Sequence, residues 1–303
     1  DHRDLHSFPT RRSSDLTVSS TIPDGLYDFF ISISGTPTSW APHSVIILNS
    51  FKSISSSSCL KIIQVTDVHI GETGDNGNVR DFRAIIKAIN RENPKPDFII
   101  ITGDLTDEGK LNEYKYFKAC LYECNIPVFL SPGNHDWRNS GIVNYDSYLV
   151  PNRESSTQST IRDYYFKYGS IGFIQFDSRE DNGYPGYQLK GLTNDQFNWI
   201  KQSYIDLGYI STFVFTHGAF VDHSHWWGKS DTHLQNDLNY VNWANGRNIK
   251  ATISGHTHAM HIFYTVTSSN IDNPPDKSNA DAYYSLSSNY PFYLEMWSST
   301  KHQ

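Results

Sequence analysis

The sequence has no excess of basic residues, no long apolar run and few cysteines. Lys and Arg number 25 against 32 Asp and Glu, so the net charge is −7 and we expect no protein dedicated to binding nucleic acid. No stretch approaches the roughly 18 consecutive apolar residues of a membrane helix, so no membrane span is expected in this fragment. Cys59, Cys120 and Cys124 match neither a zinc-knuckle spacing nor an even set of disulfides, and Cys120 and Cys124 lie one turn apart in a predicted helix. A packing role is predicted for them.

Apolar residues make up 38% of the 303 positions, which is enough for one large or two smaller domains. Residues 1–16 resemble the translation of a sequencing-adapter oligonucleotide and are excluded from the fold prediction. Residues 17–58 contain two strand-like runs, at 27–33 and 44–48, between turn-rich connectors that include Pro37 and Pro42, and they end in a serine run. This segment is predicted to be either a β-rich extension packed on the main domain or the last hairpin of a truncated β-sandwich followed by a serine linker.

The main domain is predicted over residues 59–303, where apolar strands alternate with amphipathic helices. Several strands are continuous apolar runs, which indicates burial on both faces. The predicted strands are 60–66, 98–102, 127–131, 171–177, 212–216 and 251–254. Helical stripes recur at Phe82, Ile85, Ile86 and Ile89 and at Phe197, Ile200, Tyr204 and Leu207, the second behind a capping box from Thr193 to Gln196. The pattern predicts an α/β domain.

Residue types that bind metals follow the ends of these strands at five separate places. They are Asp67 with His69, Asp104, Asn134 with His135, His217, and His256 with His258. Three of the places carry a glycine just before the polar residue, which allows a tight turn and a close approach to a ligand. One such place alone is an ordinary loop, but five in order predict a common polar site.

The order D-x-H, G-D, G-N-H-D, H, G-H-x-H resembles the calcineurin-like metallophosphoesterases over roughly residues 60 to 265. The resemblance implies a four-layer α/β/β/α sandwich of two mixed sheets, with the metal site at the carboxyl ends of the strands and a short N-terminal β extension. It also implies two divalent metal ions, with Asp104 bridging them. Asp67, His69 and His258 would complete one metal site, and Asn134, His217 and His256 the other. These oxygen and nitrogen donors suit Mn, Fe, Zn or Co.

The resemblance further implies that His135 contacts the phosphate and protonates the leaving oxygen as a general acid. Asp107 matches the family position that hydrogen-bonds this histidine and keeps it oriented. Asp136 is expected to be a supporting or turn residue. Arg138, Arg179 and His261 could each approach a phosphate, but nothing in their spacing requires it, and they are left out of the predicted site.

The motifs also differ from two branches of the family. Glu108 stands where protein Ser/Thr phosphatases carry an arginine, and Asp107 stands where purple acid phosphatases carry a tyrosine ligand. GDLTDEG followed by GNHD and GHTH looks closest to the bacterial and archaeal branch that includes cyclic-nucleotide phosphodiesterases. The resemblance therefore implies a hydrolase acting on a small phosphoester, with phosphodiester hydrolysis as the first hypothesis and phosphomonoester hydrolysis as the alternative.

A non-catalytic scaffold of the same fold and a nuclease are two further candidate functions. The complete set of metal donors opposes the scaffold, and the acidic balance opposes the nuclease. Some extracellular phosphoesterases carry an immunoglobulin-like domain ahead of the catalytic one, and residues 17–58 resemble its remnant, which favours an extracellular or cell-surface location over a cytoplasmic one. The chain stops within what resembles the closing strands of the second sheet, so a C-terminal truncation is also expected.

Overall fold

The protein is described by a computed structural model over residues 25–32, 37–47, 60–72, 77–149, 162–178, 192–220, 236–258, 260–263, 266–267 and 292–295. Strands β1 (Gly25–Ser32) and β2 (Pro37–Ile47) form a two-stranded antiparallel sheet. The second strand begins earlier than predicted, because Pro37 and Pro42 lie within the strand rather than in turns. Both strands of such a pair are edge strands, where proline is tolerated. Whether this hairpin is an extension or a domain remnant stays a prediction, as does the cellular location.

The first sheet of the main domain is parallel over its three described strands, in the order β3, β4, β5. They are β3 (Ile62–Val65), β4 (Phe98–Thr102) and β5 (Val128–Ser131). Helices α1 (Gly77–Asn90) and α2 (Leu111–Leu121) make the crossovers between them. After β5 come a short 3-10 helix (His135–Ser140) and α3 (Gly141–Leu149). Each strand therefore leads directly into a loop at the same edge of the sheet.

The second sheet is mixed over its six described strands, in the order β10, β11, β9, β8, β7, β6. The strands are β6 (Tyr164–Tyr168), β7 (Ile171–Gln175), β8 (Ser211–Phe215), β9 (Ile249–Ser254), β10 (His261–Phe263) and β11 (Phe292–Glu295). Strands β7, β8, β9 and β11 are parallel, and β6 and β10 pair antiparallel at the two ends. Helices α4 (Asn194–Asp206) and α5 (Asp237–Ala244) belong to this half.

Three apolar cores separate four layers. On β4, Phe98 and Ile100 pack against residues of the second sheet such as Phe173. Their neighbours Ile99 and Ile101 face the other way and pack with α1, α2 and α3. On the second sheet the pattern repeats, because the core that holds α4 and α5 includes outward-facing residues of β7 and β8. Alternation along fully buried strands thus sends every second side chain to each face.

This architecture confirms the predicted four-layer α/β/β/α sandwich. The two predicted helical stripes form core faces, and Thr193 caps α4 with Gln196 as predicted. One prediction was wrong, since α2 ends at Leu121 and Cys124 lies beyond it. Cys120 and Cys124 are both buried and free, in agreement with a packing role. Within the part of the chain that the structure describes, no helix is long and apolar enough to cross a membrane.

Candidate metal centre

The carboxyl ends of β3, β4, β5, β8 and β9 bring all seven predicted ligands into one buried site. Of the three groups of possible metal donors among the described residues, two consist of predicted ligands only, and the third joins His69 to Asp107 and His135. Asp67, His69 and His258 make one group, and Asp104, His217 and His256 make the other. In each group the three donor atoms lie within 4.8 Å of one another, a spacing that a single metal ion could span. These groups match the division of the ligands implied by the family resemblance, while the ligand roles themselves stay predictions.

The first group joins the loop after β3 to the loop after β9. His258 Nε2 lies 3.2 Å from His69 Nε2 and 3.1 Å from Asp67 Oδ1. The other carboxylate oxygen, Asp67 Oδ2, accepts hydrogen bonds from the hydroxyl of Thr66 at 2.7 Å and from the backbone amide of His256 at 3.0 Å. One oxygen of Asp67 is therefore fixed by the loops, and the other faces the imidazoles.

Asn134 contacts both histidines of the second group. Asn134 Oδ1 lies 3.0 Å from both His217 Nε2 and His256 Nδ1. The other ring nitrogen of His217, Nδ1, lies 2.7 Å from the carbonyl oxygen of Thr102. Because a carbonyl oxygen can only accept, Nδ1 carries a proton and Nε2 is the nitrogen that can bind a cation.

Asp104 connects the two groups through one of its oxygens. Asp104 Oδ2 lies 3.6 Å from His69 Nε2 and 3.3 Å from His217 Nε2. Its partner Oδ1 accepts a hydrogen bond of 2.8 Å from the backbone amide of His135. The carboxylate is therefore oriented with Oδ2 between the two groups, which is the position that a bridging ligand needs.

Backbone strain is concentrated at these side chains. Non-glycine residues rarely adopt positive φ, at a cost of about 1 to 3 kcal/mol each. Five of the seven predicted ligands do so, with φ between 47° and 71°: Asp67, His69, Asp104, His256 and His258. Hydrogen bonds between neighbouring loops hold this geometry, among them His69 N to Asp104 O at 2.9 Å. Strain gathered at one point of a fold is typical of a functional site.

Close packing at this edge requires glycine, as two positions show. Gly103 has φ +90°, and a Cβ there would lie 2.6 Å from His217 Nδ1. A Cβ on Gly133 would lie 2.3 Å from both the backbone nitrogen and Oδ1 of Asp104. Both glycines directly precede predicted ligands, so the loops can pack against each other only where no side chain intervenes.

The electrostatics match a site built for cations. Burial raises the pKa of Asp67, but the hydrogen bond with His258 and the nearby ring of His69 outweigh it and hold this pKa well below its usual range. Burial also raises the pKa of Asp104, and the charges of His217 and His135 more than reverse this. Both carboxylates are therefore ionised inside the protein, where an unpaired charge is costly and a cation partner is favoured.

Three histidines of the site differ in their protonation state at pH 7 when no metal is bound. Burial lowers the pKa of His69, but contacts with Asp107 and Asp67 outweigh it and raise the pKa to about 9. For His217, Asp104 overcomes the effect of burial and raises the pKa to about 10. Burial and the charge of His217 lower the pKa of His256 to about 4. His256 is thus already neutral at pH 7, whereas His69 and His217 must each lose a proton before they can bind a metal ion.

His135 and Asp107 lie beside the first group. One oxygen, Asp107 Oδ1, is 3.0 Å from His135 Nδ1 and 3.4 Å from His69 Nδ1. His135 Nδ1 also lies 2.9 Å from the backbone oxygen of Asp107. His135 Nε2 is 3.8 Å from Asp104 Oδ2, so the ring points its second nitrogen towards the bridging position. Asp107 therefore contacts both the predicted general acid and a predicted metal ligand.

Asp136 is a structural clamp for the loops. Its carboxylate is fully buried and accepts hydrogen bonds from the backbone amides of Leu105, Thr106 and Gly133, and from the hydroxyls of Thr106 and Tyr114. The loop after β4 is thereby tied to the loop after β5. This agrees with the supporting role expected from the sequence.

Arg138 was left out of the predicted site, but the structure places its guanidinium against His135. Arg138 Nη2 lies 2.8 Å from His135 Nε2. The sequence shows only that Arg138 is three residues from His135, and its extended backbone is not one that a helical spacing predicts. His261 lies on β10, and Arg179 lies outside the described residues.

Comparison with known proteins agrees with this geometry. A family model described as calcineurin-like phosphoesterase matches residues 60–260. The probable glycerophosphodiester phosphodiesterase GpdQ of Arcobacter nitrofigilis is 30% identical over 146 residues, 46% of this chain and 50% of that protein. A probable cyclic nucleotide phosphodiesterase of Coxiella burnetii is 28% identical over 153 residues, 49% of this chain and 55% of that protein. The chain thus spans about half the length of these two relatives.

Two further matches are longer. A probable cyclic nucleotide phosphodiesterase of Colwellia psychrerythraea is 26% identical over 226 residues, 70% of this chain and 76% of that protein. Among solved structures, the purple acid phosphatase PPD1 of yellow lupin (Lupinus luteus) superposes with a TM-score of 0.54 at 14% sequence identity, covering 79% of this chain and 44% of that one. At this identity the second likeness supports the fold alone.

Proposed function

The chain belongs to the calcineurin-like phosphoesterases, and we propose that it hydrolyses phosphodiesters with two divalent metal ions. The observation that carries the proposal is the position of Asp104 Oδ2, which lies between two groups of metal-binding side chains. The named relatives support the choice of substrate class, because they are described as glycerophosphodiester or cyclic nucleotide phosphodiesterases.

The donor set of this site fits such ions. Asp67, His69 and His258 would hold one ion and Asn134, His217 and His256 the other, with Asp104 shared between them. Mixed carboxylate, amide and imidazole donors suit Mn, Fe, Zn or Co. A bound pair of divalent ions lowers the pKa of water and stabilises the charge that develops on the phosphate.

The chain's own contribution to the chemistry centres on His135. Its Nδ1 is held by the carboxylate and the backbone oxygen of Asp107, which orients the ring. Its Nε2 is directed towards the bridging position, where a substrate phosphate would lie. In the imidazolium form of His135, Nε2 can donate a proton to the leaving oxygen when the bond between phosphorus and that oxygen breaks. General acid catalysis of this kind contributes about 100-fold to 10,000-fold.

Hydrolysis of paired chromogenic substrates tests the proposal. The full chain, loaded with Mn, is assayed on bis(4-nitrophenyl) phosphate and on 4-nitrophenyl phosphate, and metal content is measured alongside. We expect turnover of the diester, loss of metal and activity in Asp104→Asn, and loss of activity without loss of metal in His135→Ala.

The other outcomes distinguish the alternatives. Turnover of the monoester alone would identify a phosphomonoesterase instead. Bound metal without turnover of either substrate would contradict the proposal and favour the non-catalytic scaffold. Equal loss of metal in both variants would refute the separate roles of Asp104 and His135.

A further inference from the structure

Arg138 leaves the 3-10 helix after His135 and turns back over the site. Its backbone is extended, with φ −57° and ψ 147°, and the next residue, Asn139, adopts φ 50°. The chain reverses direction here, so the side chain of Arg138 returns to the loop that carries Asp107 and Glu108. Its side chain is 16% exposed, which places the guanidinium at the edge of the buried site.

The guanidinium contacts three different acceptors. Nη1 donates to the backbone oxygen of Asp107 at 3.0 Å and to Glu108 Oε1 at 3.2 Å. Nη2 lies 2.8 Å from His135 Nε2. Because a guanidinium has donors and no acceptor, His135 Nε2 accepts this hydrogen bond through its lone pair. The nitrogen that the proposed function directs at the leaving group is therefore covered by a cation.

A phosphate at the bridging position would meet this cation. His135 Nε2 is 3.8 Å from Asp104 Oδ2 and 2.8 Å from Arg138 Nη2, so the same nitrogen neighbours both the bridging position and the guanidinium. Hydrogen bonds from guanidinium to an anionic oxygen are shorter and stronger than those to a neutral acceptor. A change of the acceptor of Arg138 Nη2, from the imidazole nitrogen to a phosphate oxygen, would thus be favourable. It would also leave His135 Nε2 without the guanidinium in front of it.

We propose that Arg138 binds a non-bridging oxygen of the substrate phosphate, and that this contact replaces its contact with His135. The inference rests on the proposed function. Only one end of the guanidinium needs to change partner, because Nη1 stays anchored on Asp107 and Glu108. Glu108 is itself fixed, since Asn139 Nδ2 donates to its Oε2 at 2.9 Å. A preorganised arginine loses little entropy when it binds phosphate.

The competing interpretation is that Arg138 only holds Glu108 in place. A measurement of phosphate binding distinguishes the two interpretations. The dissociation constant of inorganic phosphate is measured by calorimetry on the Mn-loaded full chain, together with KM and kcat for bis(4-nitrophenyl) phosphate. Arg138→Ala should weaken phosphate binding about tenfold to hundredfold, as expected for one hydrogen bond to a charged group. KM should rise in parallel with no change in metal content.

Two further variants complete the test. Arg138→Lys keeps the positive charge without the paired N–H donors of a guanidinium, and should retain part of the phosphate affinity that Arg138→Ala loses. Asn139→Ala removes the other hydrogen bond on Glu108 without touching His135, and should weaken phosphate binding much less than Arg138→Ala does. Thermal melts establish that each variant is folded, and Arg138→Lys provides the comparison if Arg138→Ala is not.

The result that overturns the inference differs from the result that overturns the proposed function. Unchanged phosphate affinity in the Arg138 variants, equal weakening in Asn139→Ala, or no phosphate binding by the wild type would each refute the role of Arg138. Arg138-dependent phosphate binding without turnover of any diester would refute the proposed function and leave the inference standing.

Discussion

Replacing Asp107 with Asn should weaken both metal binding and turnover, because a single oxygen of this residue serves two histidines. Asp107 Oδ1 lies 3.0 Å from His135 Nδ1 and 3.4 Å from His69 Nδ1. Burial raises the pKa of Asp107, but its hydrogen bond with His135 and its contact with His69 outweigh this effect and hold the pKa well below its usual range, so the group is ionised at neutral pH. The substitution removes that charge from both contacts.

The structure limits the size of each effect. His135 keeps a second acceptor in the variant, the backbone oxygen of Asp107 at 2.9 Å. The loss is then the difference between a charged and a neutral hydrogen bond, about 1 to 2 kcal/mol, which corresponds to a fall in kcat of roughly fivefold to thirtyfold. Loss of an outer partner of a metal-bound histidine costs about tenfold to hundredfold in affinity. The 3.4 Å contact to His69 is long, so we expect about tenfold for Mn.

Manganese titration of the metal-free protein gives the affinity, and kcat is then measured at saturating Mn so that the two effects are separated. Asp97→Asn is the matched control. The Asp97 carboxylate also accepts hydrogen bonds, from the amide of Lys61 and the hydroxyl of Tyr168. It precedes β4, however, and so lies at the end of that strand opposite to the metal centre. Complete recovery of kcat at saturating Mn would refute the orienting role of Asp107 on His135. An unchanged Mn affinity would refute its action through His69.

Three further predictions follow from the same site. Mn binding to the metal-free protein should release protons at pH 7, because the pKa values of His69 and His217 are about 9 and 10. The apparent Mn affinity should therefore fall as the pH is lowered. Calorimetry in two buffers of different ionisation enthalpy counts the released protons. Binding without proton release would argue that these imidazoles are not ligands. Gly103→Ala should lower the melting temperature and the bound metal per chain, since its Cβ would lie 2.6 Å from His217 Nδ1, and a variant with full metal content would contradict this. Asp136→Ala should cost several kcal/mol in urea unfolding, because three buried backbone amides lose their acceptor at about 1 to 3 kcal/mol each, and wild-type stability would disprove the clamp.

Part of the fold was predictable because its signals are local. The continuous apolar runs of β4 and the stripe of α4 identify strands and helices, since buried faces impose a fixed period on the sequence. Strand β6 was missed. Its sequence, YYFKY, is a run of aromatic residues around one lysine, and its pairing with β7 is what makes it a strand. Partners of that kind are not visible in the segment itself.

The same division holds at the site. The order of Asp, His and Asn residues behind strand ends, with glycines before three of them, is a property of the chain and could be read without a structure. Their arrangement in space could not, because His69 and His258 lie 189 positions apart and meet only when the two sheets pack together. Tertiary structure alone placed Asp104 Oδ2 between the two groups and Arg138 against His135. It also put five predicted ligands at positive φ, since hydrogen bonds between loops, rather than local preference, hold that backbone.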